Sequence, residues 1–286
     1  MKTLREAIES AREKGSAIGH FNISDSNQLK AIAQAAHSEG LPVIIGVSEG
    51  ERDYFPLAHA RALIDLYRRD GIELFLNADH TYSLEKVQAA IDSGADSVIF
   101  DGAKMGMEEN LVAASAAVAA ARGSGRDVVM EGELGYIGQS SKVLTELPEG
   151  AALTPEMMTS ASDALRFVQT TGVDCFAPAV GNVHGMLGVS QDPPLNIARV
   201  REISDATDVP LVLHGASGNS EADIRAAIAA GVAIVHINTE LRVAYKEGLK
   251  QGLAEDEVAP YKFLKPAVER MQAFVSEKIR MFDAVS

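Results

Sequence analysis

Five of the seven histidines, His20, His80, His184, His214 and His236, fall at or just past the C-terminal end of a short apolar run, while His37 and His59 lie inside helical patterns. Four acids, Asp79, Asp101, Glu131 and Glu133, end apolar runs in the same way. Imidazoles and carboxylates share two chemistries, holding a divalent metal and moving protons. One histidine at a strand end is more often a satisfied polar residue than a ligand; the clustering favours the second reading. His80, His184 and His214 belong to the third, sixth and seventh runs and can converge. Three nitrogen donors with an open position describe a catalytic zinc site, where the ion polarises a substrate carbonyl. Asp79 precedes His80, and adjacent strand residues point apart. It is then placed for proton transfer with a substrate hydroxyl, against the competing reading of a cap for the helix starting near Ser83.

Two further segments suit a phosphate. Leu213-His214-Gly215-Ala216-Ser217-Gly218 ends the seventh run, and His236-Ile237-Asn238-Thr239-Glu240 ends the eighth and opens a helix. Glycine lets the backbone approach an anion, hydroxyls of Ser217 and Thr239 can donate, and a helix N-terminus favours negative charge.

The elements that must carry these residues follow from periodicity. Strands are expected at 17–21, 42–47, 73–78, 97–101, 127–133, 174–180, 209–214 and 232–237, each short, apolar and without strict alternation, as for strands buried on both faces. Amphipathic stretches at 27–37, 56–69, 84–94, 108–122, 155–171 and 220–230 lie between them. Strand and helix in alternation, eight times over, predict a single (β/α)8-barrel domain over 1–286, with active residues at the C-terminal strand ends. A helix at 4–14 is expected to cap the barrel, and one at 260–282 to pack on it or meet another subunit. The irregular stretch at 134–154 falls on the catalytic face.

The chain has 286 residues, 47% of them hydrophobic, and a formal net charge of −14. That charge disfavours nucleic acid and anionic membranes as partners. A lone cysteine, Cys175, permits no internal disulfide and fits a cytoplasmic setting. There is no signal-like N-terminus and no apolar run of membrane-spanning length.

Asn77-Ala78-Asp79-His80, Glu131-Gly132-Glu133-Leu134-Gly135-Tyr136-Ile137-Gly138, Gly181-Asn182-Val183-His184-Gly185 and Leu211-Val212-Leu213-His214-Gly215-Ala216-Ser217-Gly218 resemble, in order, the motifs of class II, zinc-dependent ketose-bisphosphate aldolases. The likeness runs from Phe21-Asn22 to Thr239-Glu240-Leu241. It implies reversible cleavage of a phosphorylated ketose, such as fructose or tagatose 1,6-bisphosphate, to dihydroxyacetone phosphate and an aldehyde through an enediolate held on zinc. It implies His80, His184 and His214 as zinc ligands and Asp79 as the acid/base at the C4 hydroxyl. Asp101 and Glu133 would serve a second metal position or support the first. Asn22, Ser48, Gly185, Gly215, Ser217, His236, Asn238 and Thr239 would contact the substrate or its phosphate. A monovalent cation, Na+ or K+, beside the phosphate and a homodimer or homotetramer are also implied.

Four positions depart from that pattern. Asn77 stands where the family carries histidine, and Ser141 where it carries a proton-transferring glutamate, with Glu146 and Glu149 as nearby substitutes. His236 replaces an asparagine, and His20 a small residue. Lys104, Lys142, Lys265 and Arg270 are the candidate cations for a distal phosphate. Two other functions fit: a sugar-phosphate isomerase or epimerase with His20 and His236 moving protons, and a non-catalytic phosphometabolite-binding barrel.

Overall fold

Residues 1–138, 142–188 and 192–283 are described by the structure, a computed structural model. Among the described residues ten strands occur in chain order: β1 (Ile18–Asn22), β2 (Val43–Ser48), β3 (Leu74–Thr81), β4 (Ser97–Phe100), β5 (Val129–Leu134), β6 (Val143–Leu144), β7 (Cys175–Pro178), β8 (Met186–Leu187), β9 (Leu211–Leu213) and β10 (Val232–Ile237). Eight of them close a barrel in the order β1-β2-β3-β4-β5-β7-β9-β10, with β10 returning to β1, and β6 and β8 form a separate two-stranded sheet. All pairings are parallel.

The helices are α1 (Leu4–Lys14), α2 (Ser26–Glu39), α3 (Glu49–Arg52), α4 (Leu57–Arg69), α5 (Leu84–Asp92), α6 (Met107–Gly123), α7 (Ala161–Thr171), α8 (Ile197–Thr207), α9 (Glu221–Ala229), α10 (Thr239–Gly252), α11 (Pro260–Phe263) and α12 (Lys265–Asp283). Among the described residues, no helix is long and apolar enough to cross a membrane. The expected barrel is therefore the observed one, and the expected strands match it to within a few residues.

Local chemistry sets the helix ends. Thr3 and Glu6 form a reciprocal capping box at α1, and Gly15 closes it in the left-handed conformation. The helix expected at 155–171 begins only at Ala161, because Ser160 caps it through Asp163 N–H and the preceding Thr159 is tied by its backbone to the end of β7. The helix expected at 260–282 is broken at Leu264. Pro266 has no N–H to continue the ladder across that point.

Side-chain alternation along the strands sorts the core into two parts. Phe21, Val43, Ile45, Leu74 and Leu76 point outward and pack under the helices. Ile18, Ile44, Phe75, Val129, Val212 and Ile234 point into the lumen, where Leu4 and Ile8 of α1 plug its lower end. Truncating a buried ring such as Phe75 to alanine costs about 3–5 kcal/mol. Two residues further along five of these strands the inward positions turn polar, His20, Asn77, Glu131, His214 and His236 all being buried, while β2 has Gly46 there. One more step brings Asn22, Ser48, Asp79 and Glu133 to the mouth. The apolar plug below thus makes a dry floor for a polar layer above it.

Candidate active site

At the end of β3 the pairing with β4 slips between Ala78 and Thr81, and His80 takes a left-handed φ of 41°. A regular strand would aim Asp79 and His80 apart. This bulge turns both into the mouth, with Asp79 Oδ1 3.7 Å from His80 Nε2. The expectation that they diverge is corrected by that kink. Arg52 of α3 braces it, its Nη2 donating to the Asp79 carbonyl at 2.6 Å and to Thr81 Oγ1 at 2.7 Å. Asp79 does not cap α5; Ser83 does, accepting from Lys86 N–H.

His80, His184 and His214 come together from β3, the loop before β8 and the end of β9, and present ligand atoms within 4.8 Å of one another. Their rings stand nearly perpendicular, at 68°, 84° and 80° pairwise. Each ring keeps a nitrogen free. His80 Nδ1 meets Asp101 Oδ2 at 2.9 Å, which leaves Nε2 facing the mouth. His214 Nε2 meets Glu131 Oε1 at 2.7 Å, which leaves Nδ1 without a partner; His184 Nε2 is equally without one. Buried, unpartnered imidazole nitrogens aimed at one point fit a metal ion, and carboxylates on the far nitrogens are the usual support.

The electrostatics fit the same cation. Burial lowers His184 well below its usual value, aided by its neighbour His80, and lowers His214 to about 3, so both are neutral and ready to ligate. Burial opposes a charge on His80, but Asp79, Asp101 and Glu133 around it prevail and raise it to about 10. Burial raises Glu131 to about 8 and Glu133 well above its usual range. Burial pulls Asp79 upward too, yet the histidines around it and the Asn22 amide hold it well below the carboxylate range. Asp101 and Glu133 join His80 in a second, overlapping ligand set.

Asp79 uses its two oxygens differently. Oδ2 accepts from Asn22 Nδ2 at 2.8 Å, while Oδ1 has no hydrogen-bond partner and lies 3.8 Å from His236 Nδ1. One pocket joins Asp79, His80 and His184 to Asn22, Ser48, Gly185 and Gly215, and to Ser217, His236, Asn238 and Thr239. Every residue expected at the substrate or its phosphate lies there. His214 and Glu133 are buried and do not line it, and Asp101 lines a neighbouring pocket. None of Lys104, Lys142, Lys265 and Arg270 lines either pocket, nor do Glu146 and Glu149. Ser141 lies outside the described residues.

His20 is fully buried and outside the pocket. It stacks on His236 with centroids 3.5 Å apart, and His236 stacks on His214 at 4.1 Å. Its Nε2 donates to Asn77 Oδ1 at 3.0 Å, and Asn77 in turn donates to Ser97 Oγ. Gly46 on β2 makes room for the ring, since a Cβ there would strike it. An expected mover of protons is thus a packed member of the layer below. Sequence reasoning gave no role to Glu131, Arg52 or Asn182, whose amide donates to the His214 carbonyl at 2.9 Å. Glu131, an acid ending an apolar run, and Asn182 both lie inside the family-like motifs; Arg52 carries no local signal.

The family profile described as fructose-bisphosphate aldolase class-II matches residues 2–286. A "Probable fructose-bisphosphate aldolase" of Bacillus subtilis (strain 168) is 35% identical, over 98% of this chain and 96% of its own. A "Sulfofructosephosphate aldolase" of Alkalicoccus urumqiensis is 34% identical, over 96% and 94%. The crystal structure of the YdjI aldolase from Escherichia coli K12 superposes with a TM-score of 0.84 at 29% identity, over 98% of this chain and 96% of that one. With its motifs in order on a closed barrel, the chain belongs to the class II fructose-bisphosphate aldolase family, whose members are metal-dependent lyases.

Proposed function

We propose that this chain is a zinc-dependent aldolase that reversibly cleaves a phosphorylated ketose to dihydroxyacetone phosphate and an aldehyde. The observation that carries the reading is the set of three mutually perpendicular imidazoles, each with a nitrogen free toward one point, beside the unpartnered Oδ1 of Asp79. His80, His184 and His214 would hold the ion, and an all-nitrogen set with an open position suits zinc. When bound, the ion supplies Lewis-acid polarisation of the substrate carbonyl.

The remaining work belongs to side chains. Asp79 Oδ1 takes the proton of the C4 hydroxyl; the C3–C4 bond breaks, the aldehyde forms, and the bonding pair passes into the triose half, whose carbon takes one proton from water as Asp79 gives its own back to solvent. Asn22 keeps Asp79 turned so that Oδ1 faces the substrate. Gly185, Gly215, Ser217 and Thr239 bind the phosphate at the start of α10, where the helix N-terminus favours an anion. A monovalent cation beside that phosphate, a homo-oligomer, a cytoplasmic setting and one barrel unit for the whole chain complete the reading. The first two rest on the resemblance of the sequence motifs alone.

The test is release of dihydroxyacetone phosphate from ketose 1-phosphates and 1,6-bisphosphates by zinc-loaded protein, followed in a coupled assay with and without a chelator. Release that the chelator abolishes and zinc restores is expected. Turnover indifferent to the chelator, or none with zinc bound, would sink the reading.

A further inference from the structure

The phosphate pocket has a neighbour. Both contain Ser48, His80 and His184, and the second extends over Glu49, Tyr82 and Asp101. If the triose half occupies the first, the second is where the aldehyde half lies. Its walls carry two carboxylates and a phenol. Carboxylates accept hydrogen bonds from hydroxyls and repel a phosphate.

The nearby arginines are already engaged. Arg242, one turn into α10 beyond Thr239, pairs with Glu51. Glu51 is 8% exposed, and its other donors are Ser48 N at 2.9 Å, Ser48 Oγ at 2.8 Å, Asn22 Nδ2 at 2.9 Å and Ser24 Oγ at 3.3 Å. Pulling Arg242 away would leave a buried, uncompensated carboxylate, which is costly. Arg52 is spent on backbone and Thr81, and Lys86 faces Glu49 at 3.9 Å. No lysine or arginine lines either pocket among the described residues, and segments 139–141 and 189–191 contain none in sequence.

We infer that the aldehyde half of the substrate is an uncharged polyhydroxy chain, so that the compound cleaved is a ketose monophosphate whose one phosphate sits on the triose half. The inference rests on the aldolase reading above and narrows it. Glu51 is then a specificity-determining residue that withholds Arg242 from a second phosphate, while Glu49, Asp101 and Tyr82 meet hydroxyls.

The experiment compares kcat/KM of the zinc-loaded protein for ketose 1-phosphates and the matching 1,6-bisphosphates, in wild type and in Glu49→Lys. Wild type is expected to favour the monophosphate by about tenfold or more, and the lysine to move the ratio toward the bisphosphate by about tenfold, the worth of one ion pair near 1.4 kcal/mol. Equal or greater use of the bisphosphate by wild type overturns the inference and leaves the aldolase intact. An unmoved ratio in Glu49→Lys shows that this pocket does not seat the aldehyde half and overturns it as well. Absence of chelator-sensitive cleavage of either substrate overturns the aldolase reading itself, and the inference with it.

Discussion

Asp79 illustrates how one carboxylate is divided between structure and chemistry. Asn22 binds one oxygen and leaves the other unpartnered at the mouth. Asp79→Asn keeps the shape and removes the proton acceptor, so kcat should fall by about 10²–10⁴-fold. Zinc content measured by atomic emission should stay near one per chain; if it falls as well, Asp79 is a ligand. Glu131→Ala should act in the opposite manner. It frees the far nitrogen of His214, and metal affinity in a competition titration should weaken by about 10–100-fold. At this scale the imidazoles were legible in the sequence because residue type and strand-end position coincide. The task of Glu131 was not, since nothing along the chain says which nitrogen of His214 it meets. The sequence also placed an imaginable base at His20. Only packing shows the ring hydrogen-bonded to Asn77, filling space that Gly46 leaves.

Elements add what residues alone do not reveal. Strand order and helix alternation were readable because both periods are local. The bulge after Ala78 was not, because it arises from a slip between β3 and β4 and is braced by Arg52 from another element. The stretch 134–154 read as irregular, yet it contains β6, whose two residues pair with β8 beside His184 and Gly185. Two-residue strands have no periodicity to detect. Gly185 sits at φ 100°, and a Cβ there would lie 2.9 Å from both the Lys142 carbonyl and Leu144 Cδ1. Gly185→Ala should therefore push β6 and β8 apart and raise KM for the phosphorylated substrate by about tenfold, strain of order 1–3 kcal/mol being typical at such a backbone angle. Unchanged KM would remove Gly185 from the phosphate site.

Across the whole molecule, Asp174 fastens the end opposite the mouth. Its Oδ1 accepts from Arg5 of α1 and Arg122 of α6, each at 2.7 Å, and its Oδ2 from Met130 N–H of β5 at 2.8 Å. Burial would raise its pKa, but these donors outweigh it and hold the value below the ordinary one. A carboxyl with a depressed folded-state pKa contributes in full above the ordinary value of about 4, and the contribution is lost as pH falls through the folded value. Asp174→Asn keeps an acceptor for the Met130 amide and loses the charge facing two guanidinium groups that are nearly half exposed, so it should cost about 1 kcal/mol at neutral pH. Urea titrations should show the gap between mutant and wild type closing below about pH 4. A pH-independent gap would refute the electrostatic account.

The closure of the barrel also bears on how the chain is made. Ile18 of β1 pairs with Ile234 of β10, so the first barrel strand synthesised waits for the last. At translation rates of roughly 5–20 residues per second, the outer edge of β1 stays bare for roughly 10–40 s after it emerges. During that interval a parallel, apolar edge is open to other nascent chains. A ribosome-bound intermediate of this protein is thus a natural client for chaperones, and pauses in translation between residues 22 and 232 would lengthen its exposure without altering the finished enzyme.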